Sequence, residues 1–271
     1  MRIMRLWIAL VWLGLAAAAA AAAENLAPNG TFEKGGAAGP AGWERPDGLS
    51  AFWLAGGVGG GGKAVKLDTD VAVADWERNR RAPGSVPVKS PTTPPKYDTI
   101  GAHGGAGLWS APVRVERGQW YLLEMDVKAG SAQTSSALGP PMLCLRGYRQ
   151  ATATEAAATG TLAFFQPLPD APWFSDPIFG VDRRPVREGD WLQVFRANLF
   201  CKVVPAQAGR WTRFRRPVQI RTGRFACDVV LLRIAAFWPP AEYWFDNVVL
   251  RRITPEEARL QRQQEAGTPA E

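Results

Sequence analysis

The chain has 271 residues, a formal net charge of +7 and a single histidine, with 46% hydrophobic and 10% aromatic residues. The length suits one large β domain or two small ones. The basic residues are scattered, with short clusters only at 78–81 and 213–216. Nucleic-acid binding wants a coherent basic stripe on a known module, so no nucleic-acid partner is expected.

The first 23 residues form a secretory leader. Arg2 and Arg5 make the basic start, residues 6–15 the apolar centre, and Ala21, Ala22 and Ala23 satisfy the small-residue cleavage rule. The apolar part falls short of the roughly 20 residues a spanning helix needs, which favours cleavage after Ala23 over an uncleaved anchor. No cysteine precedes Cys144, so a lipid-modified N-terminal cysteine is not available. No second long apolar run follows. The mature chain is therefore expected to be soluble, without a membrane span, and secreted or held in the periplasm or cell envelope.

After the leader the chain reads as short strands divided by Gly- and Pro-rich loops, with helical periodicity almost absent over 24–253. The glycine run 56–62 reads as a flexible turn. It is followed by Lys63 and Ala64, so it lacks the Lys-Ser/Thr ending of a phosphate loop. Strands are expected over 63–67, 108–115, 119–128, 142–148, 192–204, 211–220, 229–237 and 243–253. In 119–128 the alternation is explicit: Tyr121, Leu123, Met125 and Val127 on one face, Glu124, Asp126 and Lys128 on the other. That is a half-buried antiparallel strand. Frequent turns between such strands argue for a sandwich or barrel.

Two long insertions interrupt this pattern, at 68–107 and 151–190. Loops of that length inside a compact domain are functional or disordered as a rule. The first part of the second insertion, 151–161, is Ala/Thr/Gly-rich and expected to be mobile. The aromatic remainder is not the composition of disorder. The tail opens on Thr254-Pro-Glu-Glu257, a capping box with proline at the first helical position. It predicts a short polar helix to about residue 264 and a frayed end. Cys144, Cys201 and Cys227 sit in apolar strand contexts at spacings unlike a zinc site. They read either as buried hydrophobes or as a Cys201–Cys227 bridge with one thiol left over.

Several segments carry a family resemblance. Asn25-Leu-Ala-Pro-Asn-Gly-Thr-Phe-Glu33 with Pro40-Ala-Gly-Trp43, and Glu242-Tyr-Trp-Phe-Asp-Asn-Val-Val-Leu250, resemble the opening and closing strands of jelly-roll carbohydrate-binding modules with a galactose-binding-like fold. Residues 108–121 and 209–214 resemble two middle steps of the same modules. The resemblance touches roughly half the mature chain. It implies an all-β fold, an antiparallel β-sandwich of the jelly-roll, galactose-binding-like kind, carrying the two insertions. The organisation read from it is a signal peptide at 1–23, a carbohydrate-binding-module-like sandwich at 24–253, and a short polar helix with a disordered tail at 254–271.

The resemblance also implies a structural calcium ion (Ca2+) held by Glu33 and Asp246. Simple alternation in the last strand puts Asp246 on the face of Val248 and Leu250, so a carboxylate would point inward and need a partner or a metal. The alternatives are a salt bridge to Arg251 or Arg252, or a turn-end acceptor. Calcium draws much of its shell from backbone carbonyls, so two carboxylates would suffice. Of the aromatics, Trp43 and Trp211 occupy framework positions and are expected in the core. Trp76, Tyr97, Trp173, Phe174 and Trp191 lie in or beside the insertions and are the ligand-binding candidates, because loops on a rigid scaffold carry function. The competing expectation is that they form a lid over the sheet.

Catalysis finds little support. His103 stands in a glycine-rich stretch, and Gly-x-Ser-x-Gly is absent. Asp170, Asp176, Asp182, Glu188 and Asp190 crowd the second insertion, but a glycosidase needs two carboxylates at a set separation. The function expected is an exported, non-catalytic module for a polysaccharide or glycan. The alternatives are an envelope structural or protein-interaction sandwich, or a polysaccharide hydrolase or lyase using the acidic second insertion.

Overall fold

The computed structural model describes residues 24–82, 84–130, 140–150 and 191–267. The leader, the second insertion at 151–190 and residues 268–271 lie outside them, and with them the expectations placed on Trp173, Phe174 and the five acidic residues of that insertion. Twelve strands occur among the described residues. In chain order they are β1 (Gly35–Gly36), β2 (Gly39–Pro40), β3 (Ala51–Ala55), β4 (Lys63–Asp68), β5 (Ala106–Trp109), β6 (Val113–Arg114), β7 (Trp120–Ala129), β8 (Met142–Gln150), β9 (Trp191–Phe200), β10 (Thr212–Gln219), β11 (Val229–Ala236) and β12 (Glu242–Ile253). Two α-helices join them, α1 (Val73–Arg81) and α2 (Pro255–Gly267).

The strands form an antiparallel β-sandwich. The first sheet runs β10-β7-β12-β4-β3, and the second runs β5-β11-β8-β9 with β6 also paired to β11. All pairings are antiparallel. The core lies between the sheets. Tyr121, Leu123, Met125 and Val127 of β7 and Tyr243 and Phe245 of β12 pack in one cluster with Leu143, Leu145, Val230, Leu232 and Ile234 of the second sheet. Burying a side chain of this size contributes about 1.5–3 kcal/mol, and the period-two pattern of β7 delivers four such residues to one face.

The expected strands are present with shifted ends, and the segment 108–115 is split into β5 and β6. β3 was not expected, because Ala51-Phe-Trp-Leu-Ala55 is short and runs straight into the glycine turn. It pairs with β4 as a hairpin, Phe52 opposite Lys66. The second face of β7 is more buried than alternation predicts, with Leu122, Glu124 and Asp126 all below 9% exposed. Arg213 and Arg215 of β10 cover the carboxylates, Arg213 gripping Asp126 at 2.8 and 2.6 Å and Arg215 meeting Glu124 at 2.6 Å.

The first insertion is not a loose loop. It contains α1, whose Val73 and Trp76 pack on the core. Three aspartates strap the proline-rich remainder: Lys89 pairs with Asp68 and Lys96 with Asp70, both at 2.6 Å, and the Ser90 amide donates to Asp75 at 2.7 Å. The Ser90 amide chiefly, with help from Arg78, holds the Asp75 carboxyl below the usual range. The basic cluster 78–81 is spent locally, Arg78 on Asp75, Arg81 on Glu77 and Arg80 over the Trp76 ring.

The three cysteines are free thiols, all buried, so the Cys201–Cys227 bridge does not form. Burial pushes the Cys227 thiol up to about 12. The capping box forms as expected, Thr254 and Glu257 exchanging backbone-to-side-chain bonds of 2.8 and 3.1 Å. Helix α2 then lays Ala258 against Leu122 and Ile253. Thr254→Ala is expected to cost about 1 kcal/mol, read as a lower urea midpoint at unchanged m value.

Candidate functional site

A cleft of about 400 Å³ opens beside the second sheet, between α1, the glycine-rich loop ahead of β5, the segment around Glu44 and Asp47, and β11. Its walls include Trp76, Trp109, Glu44, Asp47, His103 and Arg233. Each comes from a firmly held element. Trp76 is carried by α1 and leans on the core. Trp109 ends β5 opposite Arg233. Glu44 and Trp109 exchange hydrogen bonds, the Glu44 amide to the Trp109 carbonyl at 2.8 Å and the Trp109 amide to Glu44 Oε2 at 3.0 Å. Asp47 Oδ1 accepts the amides of Leu49, Ser50 and Ala51 at 2.7–2.8 Å, which folds the approach to β3. A lining of aromatic and polar residues suits a small organic ligand, and pockets for such ligands run about 300–1,000 Å³.

Of the aromatics singled out in the sequence, Trp76 lines this cleft. Tyr97 stands outside it. It is 67% exposed, and its ring stacks on Trp238 with centroids 5.7 Å apart. His103 links the two places, since its Nε2 lies 2.9 Å from the Tyr97 carbonyl oxygen. Trp191 opens β9 opposite Gln150. Trp109, Arg233, Glu44 and Asp47 were not singled out. Arg233 left a signal: it is the one charged residue within the apolar run of β11.

Trp43 is in the core as expected, with its Nε1 donating to the Pro28 carbonyl at 2.6 Å. Trp211 is not. It is only half-buried, on the outer face of the first sheet, at the end of a cross-strand row of Phe52, Lys66, Trp244, Lys128 and Trp211. Lys66 lies 4.5 Å from the centre of Phe52 and 6.0 Å from that of Trp244, and Lys128 lies 4.7 and 5.1 Å from Trp244 and Trp211. Trp211 just precedes Thr212, which pairs with Val127, so Lys128 lies over its ring in place of the core.

Asp246 also faces the other way from expectation. A bulge between Asp246 and Val249, with Asn247 at a φ of 48°, breaks the alternation of β12. Tyr243 and Phe245 point inward before it and Val248 and Leu250 after it, so Trp244 and Asp246 belong to the outer face. Asp246 is nonetheless buried, under the glycine turn that links β3 and β4. Its Oδ2 accepts the Val58 amide at 2.8 Å and its Oδ1 the Asn247 amide at 2.6 Å, so neither Arg251 nor Arg252 is its partner. Glu33 Oε1 accepts the Lys63 amide at 3.0 Å on the same turn. Burial first, then the nearby charges of Asp126 and Glu33, push the Asp246 carboxyl above its usual range against the pull of the two amides.

Oxygens converge at this turn. A Cβ on Gly57 would stand 2.8 Å from the Gly61 carbonyl oxygen, 2.9 Å from Asp246 Oδ2 and 3.0 Å from the Lys63 carbonyl oxygen. Among the described residues no three His, Cys, Asp or Glu are grouped as a metal centre. The oxygens gathered at this turn are carboxylate and main-chain carbonyl oxygens.

No protein-family model and no curated protein matches the chain. Solved structures similar to it include a "Family 16 Carbohydrate Binding Module-2", with 15% identity and a TM-score of 0.41 over 83% of this chain and 99% of that one. Another is the xylan-binding domain CBM22-1 of Paenibacillus barcinonensis Xyn10C, with 13% identity and a TM-score of 0.36 over 87% of this chain and 99% of that one. A CBM4 structure is also similar, at 14% identity and a TM-score of 0.35 over 83% and 98% of the two chains.

Proposed function

We propose that the chain is an exported, non-catalytic binding module that holds a polysaccharide or other glycan in the cleft between α1 and β11. The observation that carries this reading is that Trp76 and Trp109 line one cleft together with Glu44 and Arg233. Sugars bind through C–H faces laid on flat rings, with polar groups fixing their hydroxyls, and indoles supply the largest such faces. A cleft of about 400 Å³ accommodates a short stretch of glycan. His103 is engaged with the Tyr97 carbonyl, which favours a structural role over acid–base work. The leader at 1–23 supports action outside the cytoplasm, secreted or in the envelope.

Within the same reading, Glu33 and Asp246 would hold a structural calcium ion together with carbonyls of the turn, and that ion would neutralise carboxylates that otherwise repel one another. Immobilised-glycan retention tests the binding function. Trp76→Ala should weaken retention about three- to tenfold, the scale of one aromatic contact, with the β-sheet signal of the far-UV spectrum retained. If a broad glycan panel shows no retention by the wild-type chain, the envelope structural or protein-interaction reading takes its place.

A further inference from the structure

Arg233 is 6% exposed, and its Nε is buried with no hydrogen-bond partner. Buried polar groups are almost always satisfied, and a buried guanidinium costs several kcal/mol unless paired. Its surroundings hold it without neutralising it. The Trp109 and Phe237 rings lie 5.4 and 6.0 Å from the guanidinium carbon. Gly107 makes room for it, since a Cβ there would stand 2.8 Å from Nε and 2.9 Å from one terminal nitrogen. Among the described residues no carboxylate forms a salt bridge with Arg233. The acidic groups that share its cleft have other tasks. Glu44 accepts the Trp109 amide, Asp47 caps the turn into β3, and Glu77 pairs with Arg81.

From this arrangement we infer that the cleft selects an anionic glycan, with Arg233 receiving the carboxylate of a uronic acid residue. The inference rests on the reading of the cleft as a sugar site and names its ligand class. Three features favour a carboxylate over a neutral hydroxyl. A guanidinium is a fixed cation, and a hydroxyl would hydrogen-bond to it without neutralising that charge. The planar guanidinium also carries a pair of terminal nitrogens whose spacing matches a carboxylate in a two-bond pairing. Flanking aromatic faces exclude water, so the pairing gains strength from the low local dielectric.

The test compares galacturonate and glucuronate oligosaccharides with the same oligosaccharides after reduction of their carboxyl groups to alcohols, by isothermal titration of the full mature chain. The wild-type chain should bind the acidic form at least tenfold more tightly than the reduced form. Because the pair is buried, raising salt from 50 to 300 mM should reduce that preference only modestly. Arg233→Met should abolish the preference and raise the melting temperature by about 3 °C or more, since it removes an unpaired buried cation. Arg233→Lys keeps the charge, loses the fork and should bind between the two. Equal binding of acidic and reduced glycans by the wild-type chain overturns the inference and leaves the glycan reading standing, and this comparison needs no variant to fold. A preference for acidic glycans that survives in Arg233→Met overturns it as well. Retention of sulfated glycans but not uronates overturns the carboxylate assignment. If no glycan of any kind binds, the reading of the cleft as a sugar site falls, and the inference with it.

Discussion

Gly30→Ala is expected to destabilise the domain by about 3–5 kcal/mol, the sum of a backbone clash and a broken buried hydrogen bond. A Cβ at Gly30 would stand 1.9 Å from the Val248 carbonyl oxygen, which belongs to main chain and has no rotamer to escape into. The two backbones are tied at this point, because the Val248 amide donates to the Gly30 carbonyl at 2.8 Å. Asn25 tightens the same junction: its Nδ2 donates to the Val248 carbonyl at 2.9 Å and its Oδ1 accepts the Leu250 amide at 3.0 Å. The Asn25 side chain thus takes the place of a paired strand for the bulged part of β12. Relief requires the N-terminal segment to lift, which withdraws the fully buried Phe32 from its contact with Trp43, where the ring centres are 5.2 Å apart. Marginal stabilities of about 5–15 kcal/mol leave little reserve for such a loss. Thermal unfolding should show a drop of about 6–20 °C. Gly36→Ala is the matched control, since a Cβ there meets nothing within 4 Å and little change is expected. A Gly30→Ala melting point within 2 °C of wild type would show that the ends are not clasped in this way.

This clasp explains why the outer segments were the most legible part of the chain. The Asn-Leu-x-x-Asn-Gly pattern is a set of backbone requirements: Asn25 bridges to β12, Asn29 sits at a φ of 45°, and Gly30 admits a carbonyl. Such requirements are local and show in the residue types. The position of β7 was equally accessible, because its period-two patterning is imposed by the core itself. Alternation failed where a bulge changed the count, at Asp246, and nothing in Phe-Asp-Asn-Val announces an extra residue. It failed again at Trp211, whose ring is covered by Lys128 of the neighbouring strand. Helix α1 was hidden because its stabilising contacts, Asp75 to Ser90 and Trp76 to the core, are made by residues distant in sequence or by a single ring. The cleft was legible only in part. Trp76 was found by its place in an insertion, whereas Trp109 and Glu44 meet through strand pairing that composition does not encode. Arg233, alone among apolar neighbours, was visible as an anomaly and is the residue on which the ligand class turns.

Calcium is expected to raise the melting temperature of the folded chain by about 5–10 °C at a free concentration near one hundred times its dissociation constant, equivalent to about 2.7 kcal/mol. The expectation starts from charge. Asp246 is buried close enough to Asp126 and Glu33 to feel both, and its carboxyl is held above the ordinary range. A carboxyl whose folded value is raised binds its proton more readily in the native state than in the unfolded one. Without a cation, its contribution therefore favours folding at low pH and is lost as pH rises from the unfolded value of Asp through the raised native one. At neutral pH the ionised group is a burden, and a divalent cation at the turn removes it. Calcium must displace that proton, so the calcium increment should shrink at mildly acidic pH, sooner than an ordinary aspartate would dictate. Asp126 does not share the burden equally, because Arg213 already neutralises it through two short bonds. Glu33→Gln is the sharper variant: it keeps an oxygen for the Lys63 amide and removes one charge, so it should fold while losing most of the calcium increment. Chelation of the wild-type chain at neutral pH should lower its melting temperature by the same amount that calcium restores. If the melting curves with calcium and with chelator coincide from pH 5 to pH 8, the oxygens around Gly57 serve the turn alone and no cation is held there.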